Sequence, residues 1–391
     1  MINWNERLSP QVRSIAPSGI RKFFDIAAKM KDVISLGVGE PDFVTPWSIR
    51  ESCVYGLEQG YTSYTANRGT LELRQEISNH FKRRHDINYN AETDILVTVG
   101  VSEALDLALR AVVSPGDEVL IPEPCYVSYA ACTTLAGGVP VSVPANIENE
   151  FRITPEELER YVTPRTKILL IGYPNNPTGA IMERADLSKI AEFALKYDLI
   201  VISDEIYGDL TYGEAEHVCF AEFPNMQERS IVLNGFSKAY AMTGWRIGYA
   251  LGNADFIAAM TKIHQYTMLC APITAQIAAI EALRHGEKYM KKMVAEYNRR
   301  RKLIYDGFIK MGLECFEPKG AFYIFPSIKS TGYNSSEFAE ALIQAEHVAL
   351  VPGAAFGASG EGHVRCSYAT SIDKISEALA RIENFLKNHR R

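Results

Sequence analysis

Leu199-Ile-Val-Ile-Ser-Asp-Glu-Ile-Tyr207 is the stretch on which the fold turns. Four aliphatic residues in a row suit a strand covered on both faces, and an acidic pair follows at once. Runs of the same texture recur at Asp94 to Val99, Glu118 to Ile121, Val139 to Val143, Lys167 to Gly172, Ile231 to Phe236 and Trp245 to Leu251. Amphipathic segments long enough for helical crossovers separate most of them. The alternation predicts an α/β fold built on a large, doubly wound, mainly parallel seven-stranded sheet. After about Ala254 the texture turns helical, with Lys291, Lys292, Arg299, Arg300, Arg301 and Lys302 expected on a solvated face. Gly320 to Pro326 and His363 to Tyr368 then read as strands of a smaller α+β unit, against which the first 45 or so residues are expected to pack.

Composition narrows the function. The chain has 391 residues, enough for two domains and a large core, with 47% hydrophobic and 23% charged residues. A net charge of −6 argues against nucleic acid, whose backbone is bound by clustered Lys and Arg. The seven cysteines are scattered, without a CxxC pair, and read as reduced thiols rather than a disulfide frame or zinc site. The polar start, MINWNERLSP, precedes no apolar run long enough for a leader or a membrane span, so a soluble cytoplasmic protein is expected.

Several familiar motifs fail. Gly37-Val-Gly39 runs into Glu-Pro-Asp, so a dinucleotide fingerprint loses its third glycine and its helix. There is no GxxxxGK[ST] and no HExxH. Gly100-Val-Ser102-Glu-Ala104 lacks the closing glycine of a nucleophile elbow.

What remains is a set of polar residues at the ends of apolar strands, where open α/β sheets bind ligands. Gly100-Val101-Ser102 feeds a helix whose free amides and positive dipole end suit a phosphate, unless Ser102 merely caps that helix. Asp204 ends a buried run and needs a cation, unless it too is only a cap. In Asn234-Gly-Phe-Ser237-Lys238-Ala-Tyr-Ala-Met-Thr-Gly-Trp-Arg246, a desolvated Lys238 would be a nucleophile toward carbonyls, although lysines are usually at the surface. Arg246 offers a fork of donors to a phosphate. Tyr173-Pro-Asn-Asn176-Pro-Thr-Gly179 ends another strand in a turn that can present an amide. Arg365 is either an outward side chain or a carboxylate clamp.

Together these residues, with Ser18-Gly-Ile-Arg-Lys-Phe23 and Gly37-Val-Gly-Glu-Pro-Asp-Phe43, resemble the pyridoxal-phosphate-dependent aminotransferases of fold type I, class I/II, over nearly the whole chain. The sequence is most similar to the bacterial branch containing the PatA-like and aspartate aminotransferases. The resemblance implies pyridoxal 5'-phosphate held through an imine to Lys238, with Asp204 paired to the ring nitrogen. It further implies Asn176 and Tyr207 on the phenolic oxygen, Tyr126 stacked on the ring, and the Val101 and Ser102 amides, Ser237 and Arg246 on the phosphate. Tyr64 matches a tyrosine that reaches the phosphate from a second subunit, which implies a homodimer with shared sites. Arg365, assisted by Asn176 and Gly39, matches the substrate carboxylate clamp, and Ile20 is expected in the substrate pocket with Tyr126 and Phe322.

The implied organisation is a cofactor-binding domain over residues 46–284 and a smaller domain, 1–45 with 285–391, closing over the site. The implied reaction is ping-pong transamination of an L-α-amino acid with a 2-oxo acid such as 2-oxoglutarate, the donor being aspartate, aromatic or of N-acetyl-diaminopimelate type. A carbon–sulfur β-lyase would use the same lysine and aspartate. A cofactor-binding regulatory module is the reading from another class, and no basic DNA-binding segment precedes the fold to favour it. One departure stands out: many family members carry a serine where this chain has Gly235.

Overall fold

The computed structural model describes residues 2–17, 19 and 30–389. The first short strand, β1 (Ile34–Ser35), lies outside the main sheet. Seven strands form that sheet: β2 (Ile95–Thr98), β3 (Glu118–Glu123), β4 (Val139–Pro144), β5 (Thr166–Gly172), β6 (Ile200–Asp204), β7 (Ser230–Gly235) and β8 (Gly248–Leu251). Their order is β2-β8-β7-β6-β5-β3-β4. Only the pairings made by β8, with β2 and β7, are antiparallel. The α/β fold and the mainly parallel sheet are as the aliphatic runs predict.

Burial explains why those runs look continuous. Side chains alternate across a strand, and in every strand of the sheet but the edge strand β4 both faces are dry. Along β5, Ile168 and Leu170 enter one core while Leu169 and Ile171 enter the core on the opposite face. Neighbouring β6 repeats the division, with Ile202 on the first side and Val201 on the second. The first face is covered by the helix Val101–Val112, through Ala104, Leu105, Ala108 and Leu109, and by Ala254–Thr267, through Ile257 and Met260. On the other face lie Leu71–His85, Arg184–Lys196 and Ile273–His285. A three-layer sandwich follows directly from this two-sided burial.

A further core gathers the long helix Glu287–Lys310, the helices Ser335–Glu346 and Ile372–His389, and the short strands β9 (Tyr323–Ile324), β10 (Val348–Ala349), β11 (Val351–Pro352) and β12 (Val364–Ser367). The latter strands form a β11-β12-β9 sheet, and β1 pairs in parallel with β10. Tyr207, Leu210 and Ala241 also belong to this core, so it reaches the strand ends of the main sheet. Among the described residues no helix is long and apolar enough to cross a membrane. All seven cysteines are free thiols.

Two expectations need correction. The basic face of Glu287–Lys310 is not wholly solvated: Arg300 and Arg301 are buried. Arg300 meets Asp42 at 2.8 Å and Glu296 at 3.0 Å, and Arg301 meets Glu317 at 2.6 Å, so partners distant in sequence draw two of the charges inward. Phe322 is fully buried in the small-unit core, and the next residue, Tyr323, lines the cavity described below. Phe322 belongs to the turn that follows Ala321, whose φ is +56°, and is packed into the core, whereas Tyr323 is the first residue of β9, so the expectation picked the wrong one of two adjacent aromatic residues.

If Phe322 is a core residue, Phe322→Ala should cost about 3–5 kcal/mol of stability. Urea unfolding should report it as a lower midpoint with an unchanged slope. A pocket-lining phenylalanine would instead change substrate affinity and leave the midpoint in place.

Candidate active site

The C-terminal ends of β2, β3, β5, β6 and β7 surround a cavity of about 400 Å³. It brings together Gly39, Val101, Ser102, Tyr126, Asn176, Asp204, Tyr207, Ser237, Lys238, Arg246 and Arg365. Tyr64 stands apart from it, 82% exposed. Ile20, with most of the Ser18 to Phe23 segment, lies outside the described residues.

One end of the cavity suits an anion. Gly100 turns at a φ of +76°, and a Cβ there would stand 2.5 Å from Arg246 Nη2, so only glycine lets the guanidinium lie against the turn. The turn opens the helix Val101–Val112, whose first amides and positive dipole end face the cavity beside Ser102 and Ser237. Arg246 holds a left-handed φ of +50°, a conformation costing about 1 kcal/mol for a residue with a side chain, and donates from Nη1 to the Thr243 carbonyl at 3.0 Å. Behind the turn, Glu103 accepts from the Val99 amide and pairs with the fully buried His264 Nδ1 at 2.6 Å. That pair ties the turn to the helix Ala254–Thr267. Gly235 is equally constrained: a Cβ would be 2.9 Å from Gly248 Cα and 3.2 Å from the Ile247 carbonyl, leaving no space for the serine common at this place.

Two desolvated charges face the centre. Burial pushes the Asp204 carboxyl up to about 6, against hydrogen bonds from the Tyr129 hydroxyl at 2.8 Å and the Ile206 amide at 3.2 Å. The Lys238 amine donates to the Gly39 carbonyl at 2.7 Å. Burial lowers its pKa to about 8; Glu40 opposes this shift, while Arg365 and Arg246 add to it. An amine so placed gives up its proton far more readily than a surface lysine.

At the other end, Arg365 projects from β12 and is buried. Its Nη1 donates to Asn176 Oδ1 at 2.9 Å and its Nη2 to the Gly37 carbonyl at 2.6 Å, while Nε has no partner among the described residues. The guanidinium lies 4.5 Å from the Tyr323 ring centroid and 4.8 Å from that of Phe356, which fixes its plane. With Asn176 Oδ1 turned toward Arg365, its Nδ2 is left as the amide's donor. The turn that presents it is held by Asn175, whose Oδ1 accepts from the Thr178 hydroxyl at 2.8 Å.

Tyr129, Tyr323, Glu40 and Thr243 also line the cavity and were not singled out in the sequence. Tyr323 and Tyr207 share a hydrogen bond at 2.7 Å, and the Thr243 hydroxyl donates to Glu40. Tyr129 follows Tyr126 by one short helical step, a spacing that could have marked it; nothing local marks the others.

The donor set fits pyridoxal phosphate. A helix start with an arginine and two serine hydroxyls suits its phosphate, an acid displaced upward by burial suits its basic ring nitrogen, and an amine of lowered pKa suits its aldehyde. The unpartnered Arg365 Nε marks where a further acceptor would be welcome.

A family model described as aminotransferase class I and II matches residues 31–382. The chain is 54% identical over 379 residues to the YugH protein of Bacillus subtilis (strain 168), covering 97% of this chain and 98% of that one. It is 48% identical to an aspartate aminotransferase of Pyrococcus abyssi, over 97% and 98% of the two chains. Among solved structures, an aromatic aminotransferase from Pyrococcus horikoshii OT3 superposes with a TM-score of 0.90 at 45% identity, covering 94% and 98%.

The crowding at Gly235 is open to test. Gly235→Ser should lower stability by about 1–3 kcal/mol through overpacking against Gly248 and should not tighten cofactor binding. Denaturant unfolding and a cofactor titration check both. An unchanged unfolding midpoint would mean that the two strands part easily and that space is not the reason for the glycine.

Proposed function

The chain belongs to the class I and II aminotransferases, which depend on pyridoxal phosphate, and from that footing we propose that it exchanges the amino group of an L-α-amino acid with a 2-oxo acid such as 2-oxoglutarate, in ping-pong order. The observation that carries this reading is the desolvated Lys238 amine lying between a buried carboxylate and a buried guanidinium. When bound, the cofactor supplies a conjugated ring that accepts the electrons left at the substrate Cα.

The chain's own residues do the rest. Arg365 takes the substrate α-carboxylate, with Asn176 and the Gly39 backbone beside it. The Val101 and Ser102 amides, Ser237 and Arg246 hold the phosphate, and Tyr126 covers the ring face. Asp204 keeps a negative charge against the ring nitrogen, and Asn176 and Tyr207 donate to the phenolic oxygen. With Arg365 holding the carboxylate at one end of the cavity and the phosphate-binding turn at the other, the substrate would be held in a fixed orientation, and Lys238 Nζ would act as the general base that takes the Cα proton. In this reading residues 46–284 hold the cofactor, and 1–45 with 285–391 bring Arg365 over it.

The donor class is a matter for a panel: aspartate, phenylalanine, tyrosine and N-acetyl-LL-diaminopimelate, each offered with 2-oxoglutarate. The panel follows the names of the relatives, which cover aspartate, aromatic and diaminopimelate substrates. Production of glutamate with at least one donor, abolished in Lys238→Ala, is the expected result. Pyruvate and ammonia from cystathionine without glutamate formation would assign the β-lyase instead, and cofactor binding without turnover would assign the regulatory module.

A homodimer is part of the proposal. Trp47, Tyr61, Tyr64, Leu71, Tyr266 and Met268 are all more than half or about half exposed, an apolar surface of the kind a second copy covers. Asn67 Nδ2 donates to the Leu269 carbonyl at 2.8 Å and ties the loop carrying Tyr61 and Tyr64 to the one carrying Met268. If Tyr64 completes the partner's site, mixing Tyr64→Ala with Lys238→Ala chains should restore roughly a quarter of the sites, because a random mixture of twofold dimers places both defects in one site of each hybrid. Activity that stays at the sum of the two separate variants would place Tyr64 outside the neighbouring site.

A further inference from the structure

Tyr129 stands directly behind the residue on which the proposed chemistry leans. It is buried at the start of the short helix Ser128–Leu135, and its hydroxyl donates to Asp204 Oδ2 at 2.8 Å. The Ile206 amide takes Oδ1 at 3.2 Å, so both oxygens are anchored and the plane of the carboxylate is set. The same tyrosine meets Tyr126 edge to face, with centroids 5.7 Å apart and planes at 85°. One side chain therefore buttresses both the acid and the ring expected on either side of the cofactor.

The sheet is shaped to admit this reach. Gly172 on β5 is the register partner of Asp204 on β6. A Cβ at Gly172 would stand 2.2 Å from the Tyr129 hydroxyl and 3.1 Å from Cζ. The strand therefore lacks a side chain at the one place where the phenol has to cross to the neighbouring strand.

We propose that Tyr129 is a positioning residue of the transamination site, which orients Asp204 and holds it ionised toward the ring nitrogen, and that Gly172 exists to let it through. The proposal rests on the reading of Asp204 given above. A phenol can only donate to a carboxylate, and such a bond favours the charged acid over the neutral one. Burial raises the Tyr129 pKa well above its ordinary value, so the hydroxyl keeps its proton, and its role as donor, throughout the working pH range. The other charged groups bearing on Asp204 are Glu205 on the same strand end, which disfavours its charge, and Lys238 from the turn after β7, which favours it.

The test uses the intact holoenzyme and its cofactor-free form, with Tyr129→Phe, Gly172→Ala and Asp204→Asn. Tyr129→Phe keeps the ring and removes only the donor. It should raise the dissociation constant for pyridoxal phosphate by roughly tenfold or more, the scale of one lost hydrogen bond to a buried charge. It should also shift the pH midpoint of the cofactor's visible absorption band and lower kcat more than it changes KM, while the cofactor-free protein melts as before. Gly172→Ala, where it folds, should move the same spectral midpoint in the same direction with the tyrosine still present. If Asp204→Asn loses the cofactor while Tyr129→Phe keeps the native affinity and band midpoint, Tyr129 only fills space and the inference fails, with the reading of Asp204 intact. If Asp204→Asn itself binds and titrates as the native protein does, the reading of Asp204 fails and takes this inference with it.

Discussion

The constraint from which the rest follows is a carboxylate that the fold takes almost entirely out of water. Asp204 ends a strand that is apolar on both faces, and burial outweighs its hydrogen bonds and Lys238 to hold its carboxyl up at about 6. A group in that state is tolerated in a fold when a cation is supplied to it, and Lys238, the Tyr129 hydroxyl and the Ile206 amide meet that need only in part. A bound group with a protonated ring nitrogen would complete it.

The architecture around Asp204 is arranged to make that burial possible. A sheet covered by helices on both faces leaves its strand ends as the one place where polar groups can converge without breaking the core. Five strand ends contribute, each with a different chemical function: helix amides after β2, an aromatic face after β3, an amide after β5, the acid at β6 and the amine after β7. Close packing at two of these strand ends depends on missing side chains: Gly100 lets the Arg246 guanidinium lie against the turn after β2, and Gly235 lets the end of β7 lie against the β8 backbone and Val101. The remaining anchor, Arg365, comes from the second core and is set by carbonyl acceptors at one edge and by aromatic faces around it.

Much of this was legible in the chain, and the reasons are local. A strand buried on both faces must be aliphatic at successive positions, so six of the seven runs announce themselves, the half-exposed edge strand β4 being the exception, and a charged residue at the end of such a run is conspicuous. The same reasoning fails where the partner is distant. Arg300 and Arg301 look like part of a solvated stripe because the partners that draw them inward, Asp42 and Glu317, belong to other segments. Phe322 and Tyr323 are adjacent aromatic residues in a short segment, too brief for its pattern to state which one faces the cavity.

The sequence by itself determined the layer architecture, the aminotransferase family and the identities of the polar residues at the strand ends, because each is written in short-range periodicity or in residue types at fixed spacing. Only the tertiary structure decided how those residues support one another: that Tyr129 reaches across 75 positions to Asp204, that Gly172 makes way for it, and that Arg365 shares Asn176 with the cavity. Such contacts depend on strand register and on the distance between faces, and a linear pattern carries neither.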